Sequence, residues 1–142
     1  MRSTRAQSKG FTLLELLVVI VIIGLLIGFV VPDFFRQLGK SEVTSARAQM
    51  ESLSKALDQY RLDTGRYPDS DPGLQALVEK PLDAAKWNGP YLRSELPLDP
   101  WGSPYVYRHP SNTERDFELM SLGRDGQPGG SGEDQDILPK QI

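Results

Sequence analysis

At 142 residues the chain has room for one modest domain plus an appendage, and its 39% apolar content is ordinary for a globular protein. It has no cysteine, which excludes disulfide staples, thiolate catalysis and Cys-based zinc sites. The net charge is −3, but Arg2, Arg5 and Lys9 lie in a first ten residues without an acid, so the remainder carries −6 and is unsuited to nucleic-acid binding.

The first element is residues 11–31, FTLLELLVVIVIIGLLIGFVV, 21 residues with one charge. As a helix rising about 1.5 Å per residue it spans roughly 31 Å, the thickness of a bilayer core. The cations before it predict an N-terminus in the cytoplasm and the rest of the chain outside, a single pass. A cleavable secretory signal is the competing reading. The run is longer than such signals use, and the nearest small-x-small site, Ala46-Arg47-Ala48, is far downstream.

Glu15 is the anomaly in this run, since a carboxylate at the centre of a membrane helix costs on the order of 2.5–3.5 kcal/mol. It either sits at the interface or has a cationic partner. Gly10-Phe11-Thr12-Leu13-Leu14-Glu15 resembles the processing site of type IV pilins and pseudopilins. The resemblance implies cleavage by a prepilin peptidase between Gly10 and Phe11, followed by N-methylation of Phe11. It divides the chain into a leader peptide (1–10), a transmembrane and polymerisation helix (11–35) and a periplasmic head (36–142). A cationic amine a few ångströms from Glu15 would supply about 4 kcal/mol at an effective dielectric near 20. In the family that amine belongs to a neighbouring subunit, which implies a role for Glu15 in assembly as well as processing.

Gly24 and Gly28 give a small-xxx-small spacing that permits close helix contact, although glycine is also common in membrane helices. Pro32 cannot donate an in-helix hydrogen bond and predicts a kink. By resemblance, Gly24 and Pro32 bracket a stretch that loosens when the subunit enters a filament.

Residues 41–62 read as a helix whose Ala46, Met50, Leu53, Leu57 and Tyr60 form one apolar face, with Arg47, Glu51, Lys55 and Asp58 elsewhere. Thr64-Gly65 and Tyr67-Pro68 stop it near Asp63. A short helix is predicted at 73–79, turns and extended pieces through Pro104, and strands at 105–108 and 117–121 that pair as a hairpin. YRLDTGRYP (60–68), GLQAL (73–77) and DPWGSPY (99–105) resemble the corresponding pieces of major type II secretion pseudopilins. The fold so implied is α+β and pilin-like: a long N-terminal helix, half of it transmembrane, packed on a small antiparallel sheet, with a C-terminal calcium-binding loop.

That loop, SLGRDGQPGGSGEDQDI (121–137), has four acids and five glycines. By composition it is a solvated tail or a calcium loop, since Ca²⁺ takes roughly six to eight oxygens from carboxylates and carbonyls. It is not an EF-hand, because Gln127 and Gly129 stand at the third and fifth positions. The stretch from Ser121 to Gly126 resembles the start of the calcium loop of major pseudopilins. The resemblance implies the Leu122 carbonyl, the Asp125 carboxylate and the Gln127 carbonyl as ligands, with Asp134 closing the site ahead of Ser131, Glu133 and Asp136. Metal would then fasten a region that many type IV pilins close with a disulfide.

The function so implied is a structural subunit of the periplasmic pseudopilus that drives export by the type II secretion system. Its expected partners are copies of itself, prepilin peptidase, minor pseudopilins and the inner-membrane assembly platform, with no nucleic acid. A type IV pilus or DNA-uptake pilin is the alternative from the same superfamily. An anchored hydrolase is the alternative from another class; the loop acids could offer a carboxylate pair, but His109, the only histidine, falls in the predicted hairpin.

Overall fold

The computed structural model describes residues 10–139, and the leader cations at positions 2, 5 and 9 lie outside the described residues. A single 52-residue helix, α1 (Leu13–Thr64), is followed by a 3-10 turn (Gly73–Leu77), strands β1 (Val106–Arg108) and β2 (Glu118–Met120), and a second 3-10 turn (Gly132–Asp134). The chain divides into two compact units between Leu38 and Gly39.

In the first unit, Thr12 Oγ1 accepts a 3.2 Å hydrogen bond from the Glu15 amide and so caps the helix start. Thr12 and Glu15 stand at the spacing of a capping box. The helix continues through Pro32 without interruption. The large apolar side chains between Phe11 and Leu38 are all exposed, and the most apolar 18-residue stretch of α1 is 0% buried. A helix this apolar and this bare fits an apolar solvent rather than water.

In the second unit, Ala46, Met50, Leu53, Ala56, Leu57 and Tyr60 of α1 are buried, the stripe the spacing predicts with Ala56 added. They pack with Tyr67, Leu74, Ala76, Leu77, Tyr105, Leu119 and Ile137 into one core. The helix stops where Gly65 takes φ +89°, donating its amide to the Arg61 carbonyl at 2.8 Å.

Strands β1 and β2 pair antiparallel in the register Val106↔Met120, Tyr107↔Leu119, Arg108↔Glu118. Each is shorter than predicted by one or two residues. Tyr105 leaves the ladder for the core, and Ser121 leaves it to pair with Ile137. The short helix predicted at 73–79 is a 3-10 turn that ends two residues early, at Leu77. Polar tips of half-buried aromatics against this core are satisfied: Trp87 Nε1 donates to the Ala76 carbonyl at 2.8 Å and the Tyr107 hydroxyl to the Pro68 carbonyl at 2.7 Å.

Candidate functional site

Two regions carry the residues singled out by the sequence. At the N-terminal one, Gly10 and Phe11 are exposed and precede the helix, while Glu15 lies in its first turn, also exposed. The peptide bond between Gly10 and Phe11 therefore lies outside regular structure. A side chain built at Gly24 or Gly28 would meet nothing within 4 Å, so packing within this unit does not require either glycine.

The second region is the loop 121–137. Its two arms run side by side from a neck at which Ser121 and Ile137 exchange backbone hydrogen bonds of 3.0 and 2.8 Å. Further in, the Arg124 amide donates to the Glu133 carbonyl at 3.0 Å and the Asp136 amide to the Gly129 carbonyl at 3.2 Å. Gly123 makes the close approach possible: at φ +69° an added Cβ would lie 2.8 Å from the Asp134 carbonyl carbon. The arrangement is an ordered loop, and the solvated-tail reading does not describe it.

The acids in this loop are not equivalent. Arg124 takes two of them, through Nη1 to Glu133 Oε2 and through Nε to Asp134 Oδ1 at 3.1 Å. Asp125 is exposed, and its Oδ1 accepts the Gln127 amide at 3.1 Å. Asp136 Oδ2 accepts the Gly129 amide at 3.0 Å, whereas Asp136 Oδ1 is buried without a partner. Among the described residues no three carboxylates or histidines converge as a metal cluster, and none of them donates a hydrogen bond to the Leu122 or Gln127 carbonyl. A hard cation here would draw on carbonyl oxygens as well as acids, the donor set Ca²⁺ favours. The orphaned Asp136 oxygen fits such an ion, because a buried carboxylate oxygen without a donor is costly unless a cation completes it. Ser131 precedes the second 3-10 turn, and its carbonyl accepts the Asp134 amide at 3.3 Å.

Asp99, Ser121 and Arg124 form the contacts that organise this loop, and sequence reasoning gave them no role of their own. For Asp99 a signal was present, since Asp-Pro followed by Gly-Ser is the pattern of a side-chain-capped turn. His109 Nδ1 lies 2.8 Å from the Asp116 carbonyl at the hairpin, with its ring against Tyr67.

The family described as "Type II secretion system (T2SS), protein G" matches residues 33–140, and the "Prokaryotic N-terminal methylation motif" matches residues 5–31. The chain is 44% identical over 136 residues to the type II secretion system core protein G of Pseudomonas aeruginosa, covering 94% of this chain and 95% of the relative. It is 43% identical over 140 residues to the protein of the same description from Vibrio cholerae, covering 96% and 94%. A crystal structure of the major pseudopilin from the type 2 secretion system of enterohaemorrhagic Escherichia coli is similar with a TM-score of 0.63 and 36% identity, over 77% of this chain and 95% of that one. These likenesses support the secretion role over that of a type IV pilus or DNA-uptake pilin. With a bare apolar helix that begins within its methylation motif and a small hairpin head, the chain belongs to the type II secretion system protein G family, the major pseudopilins.

Proposed function

We propose that the chain is a non-enzymatic subunit held in the bacterial inner membrane, with its N-terminus in the cytoplasm and residues 36–142 in the periplasm, and that it polymerises into the pseudopilus. The observation that carries this reading is the unburied apolar stretch of α1, which begins two residues after Phe11. A bilayer covers that surface before assembly, and neighbouring copies of the helix cover it afterwards. Prepilin peptidase cuts between Gly10 and Phe11 and the new amine is methylated. Glu15 then pairs with the Phe11 amine of an adjacent subunit and sets the axial register. Gly24 and Pro32 mark the stretch that yields during incorporation. Minor pseudopilins and the inner-membrane assembly platform start and drive growth.

The loop 121–137 takes Ca²⁺. Leu122 and Gln127 would hold it through carbonyls and Asp125 and Asp136 through carboxylates, with Asp134 and Glu133 retained by Arg124. When bound, the ion ties the two arms of the loop together and stabilises the head by mass action.

The test is expression of the full chain in a bacterium with a type II secretion system whose own major pseudopilin is deleted. The wild-type chain is expected to lose its first ten residues, as read by mass spectrometry, and to restore export. Gly10→Val is expected to stay full-length in the membrane and Glu15→Ala to be processed without forming filaments. Export by either variant at the wild-type level would overturn the reading.

A further inference from the structure

Asp99 lies outside the 121–137 loop, on the turn that precedes β1, yet it is 4% exposed with every side-chain oxygen engaged. Its Oδ1 accepts the amides of Trp101 at 3.1 Å and Ser103 at 2.8 Å, and its backbone closes the same turn through the Ser103 carbonyl at 2.8 Å. Its Oδ2 accepts a 2.7 Å hydrogen bond from the hydroxyl of Ser121, which is 0% exposed. That hydroxyl also accepts the Gly123 amide at 3.3 Å, so it relays the Asp99 carboxylate to the first glycine inside the loop. Ser121 is at the same time one half of the neck with Ile137.

A buried carboxylate satisfied by two amides and a hydroxyl has one stable arrangement, and any rotation of Ser121 would leave a charge without its donor. The turn that carries Asp99 is in its turn fixed to α1, since Trp101 Nε1 donates to Glu42 Oε2 at 3.0 Å. The chain of contacts runs from α1 through Trp101 and Asp99 to the neck of the loop. Leu122 and Asp136 are the residues immediately inside that neck.

We propose that Asp99 is a positioning residue for cation binding: through Ser121 it holds the neck closed, so that the loop meets a divalent cation already formed. The proposal rests on the reading of the loop as a cation site. A preformed site loses less ordering entropy on binding than one that must close around its ion. Asp99 itself is not a ligand, because its oxygens are spent on the turn and on Ser121.

The experiment uses the full chain in detergent micelles. Calcium chloride is titrated by calorimetry, and amide hydrogen exchange of the 121–137 peptide is measured in chelator. Asp99→Ala and Ser121→Ala are each expected to weaken Ca²⁺ binding at least about tenfold, with the double variant no weaker than the worse single one. Asp99→Asn, which keeps the acceptor for the Trp101 and Ser103 amides, is expected to weaken binding while melting in chelator like the wild type. Asp58→Asn, which removes a charge from α1, is expected to leave affinity unchanged. In chelator, Asp99→Ala is expected to expose the Ser121 and Ile137 amides to exchange.

Wild-type affinity in both Asp99 variants, or unchanged protection at the neck, would overturn the proposal. A wild-type chain that binds no Ca²⁺, but whose neck opens in Asp99→Ala, would sink the calcium reading and keep Asp99 as the residue that orders the loop.

Discussion

Ser121 and Ile137, sixteen positions apart, exchange both backbone hydrogen bonds and form an isolated bridge below the hairpin. Ser121 follows β2 directly, so the bridge attaches the C-terminal loop to the sheet, and Ile137, 5% exposed, carries that attachment into the core. The loop is thus part of the folded head rather than a tail appended to it.

The core beneath it sets the first prediction. Leu57 is fully buried on the inner face of α1, whereas Leu62 on the same helix is 77% exposed. Leu57→Ala is expected to destabilise the head by about 2–5 kcal/mol and Leu62→Ala by less than about 0.5 kcal/mol. Thermal unfolding of the full chain in micelles checks both, and equal losses would contradict the packing described.

Glycine at the start of the loop gives the second. Gly123 holds a positive φ and leaves no room for a Cβ against Asp134, so Gly123→Ala is expected to cost more than about 1 kcal/mol. Gly24→Ala has open space and is expected to leave head stability unchanged. Chemical unfolding followed by tryptophan fluorescence distinguishes them, and tolerance of Gly123→Ala would mean that the two arms do not meet as described.

Much of this arrangement was legible in the sequence because it is written in local patterns. The apolar stripe Ala46 to Tyr60 has helical spacing, Gly65 and Pro68 carry stop chemistry, and the hairpin was visible in its aromatic and aliphatic runs. Position in space was not legible where it depends on a single long-range contact. The Ser121–Ile137 bridge and the Asp99–Ser121 hydrogen bond leave no periodic trace. Counting residues also could not reveal that Arg124 reaches across the loop to Glu133 and Asp134, which sets those acids apart from Asp136.

Alkaline pH provides the third prediction. Burial, aided by the nearby Asp99 charge, pushes the Tyr105 hydroxyl up to about 12, and burial raises Tyr107 as well. In the unfolded chain a tyrosine ionises near pH 10, so above that pH the folded state binds more protons than the unfolded one. The contribution is fully present below about pH 10 and is lost as pH rises toward about 12. Denaturant midpoints are expected to fall between about pH 9 and about pH 11.5, less steeply in Tyr105→Phe. A flat profile would mean that these hydroxyls are open to water.

The fourth prediction separates two acids only two residues apart. Asp134 is bound to an exposed arginine, and a surface pair of that kind is worth about 0–1 kcal/mol. Asp136 keeps one oxygen buried and unpartnered, which gives it a reason to be retained only if something positive fills the gap. In chelator, then, Asp136→Asn is expected to cost little, because the amide can still accept the Gly129 amide and no longer buries a charge. In Ca²⁺ at about a hundred times the dissociation constant, the wild type is expected to gain about 2.7 kcal/mol, a gain Asp136→Asn loses and Asp134→Asn largely keeps. Thermal unfolding of the three chains with calcium and with chelator reads all six states. If Asp134→Asn abolishes the calcium response and Asp136→Asn retains it, the arginine must release Asp134 on binding, and the orphaned oxygen has another cause.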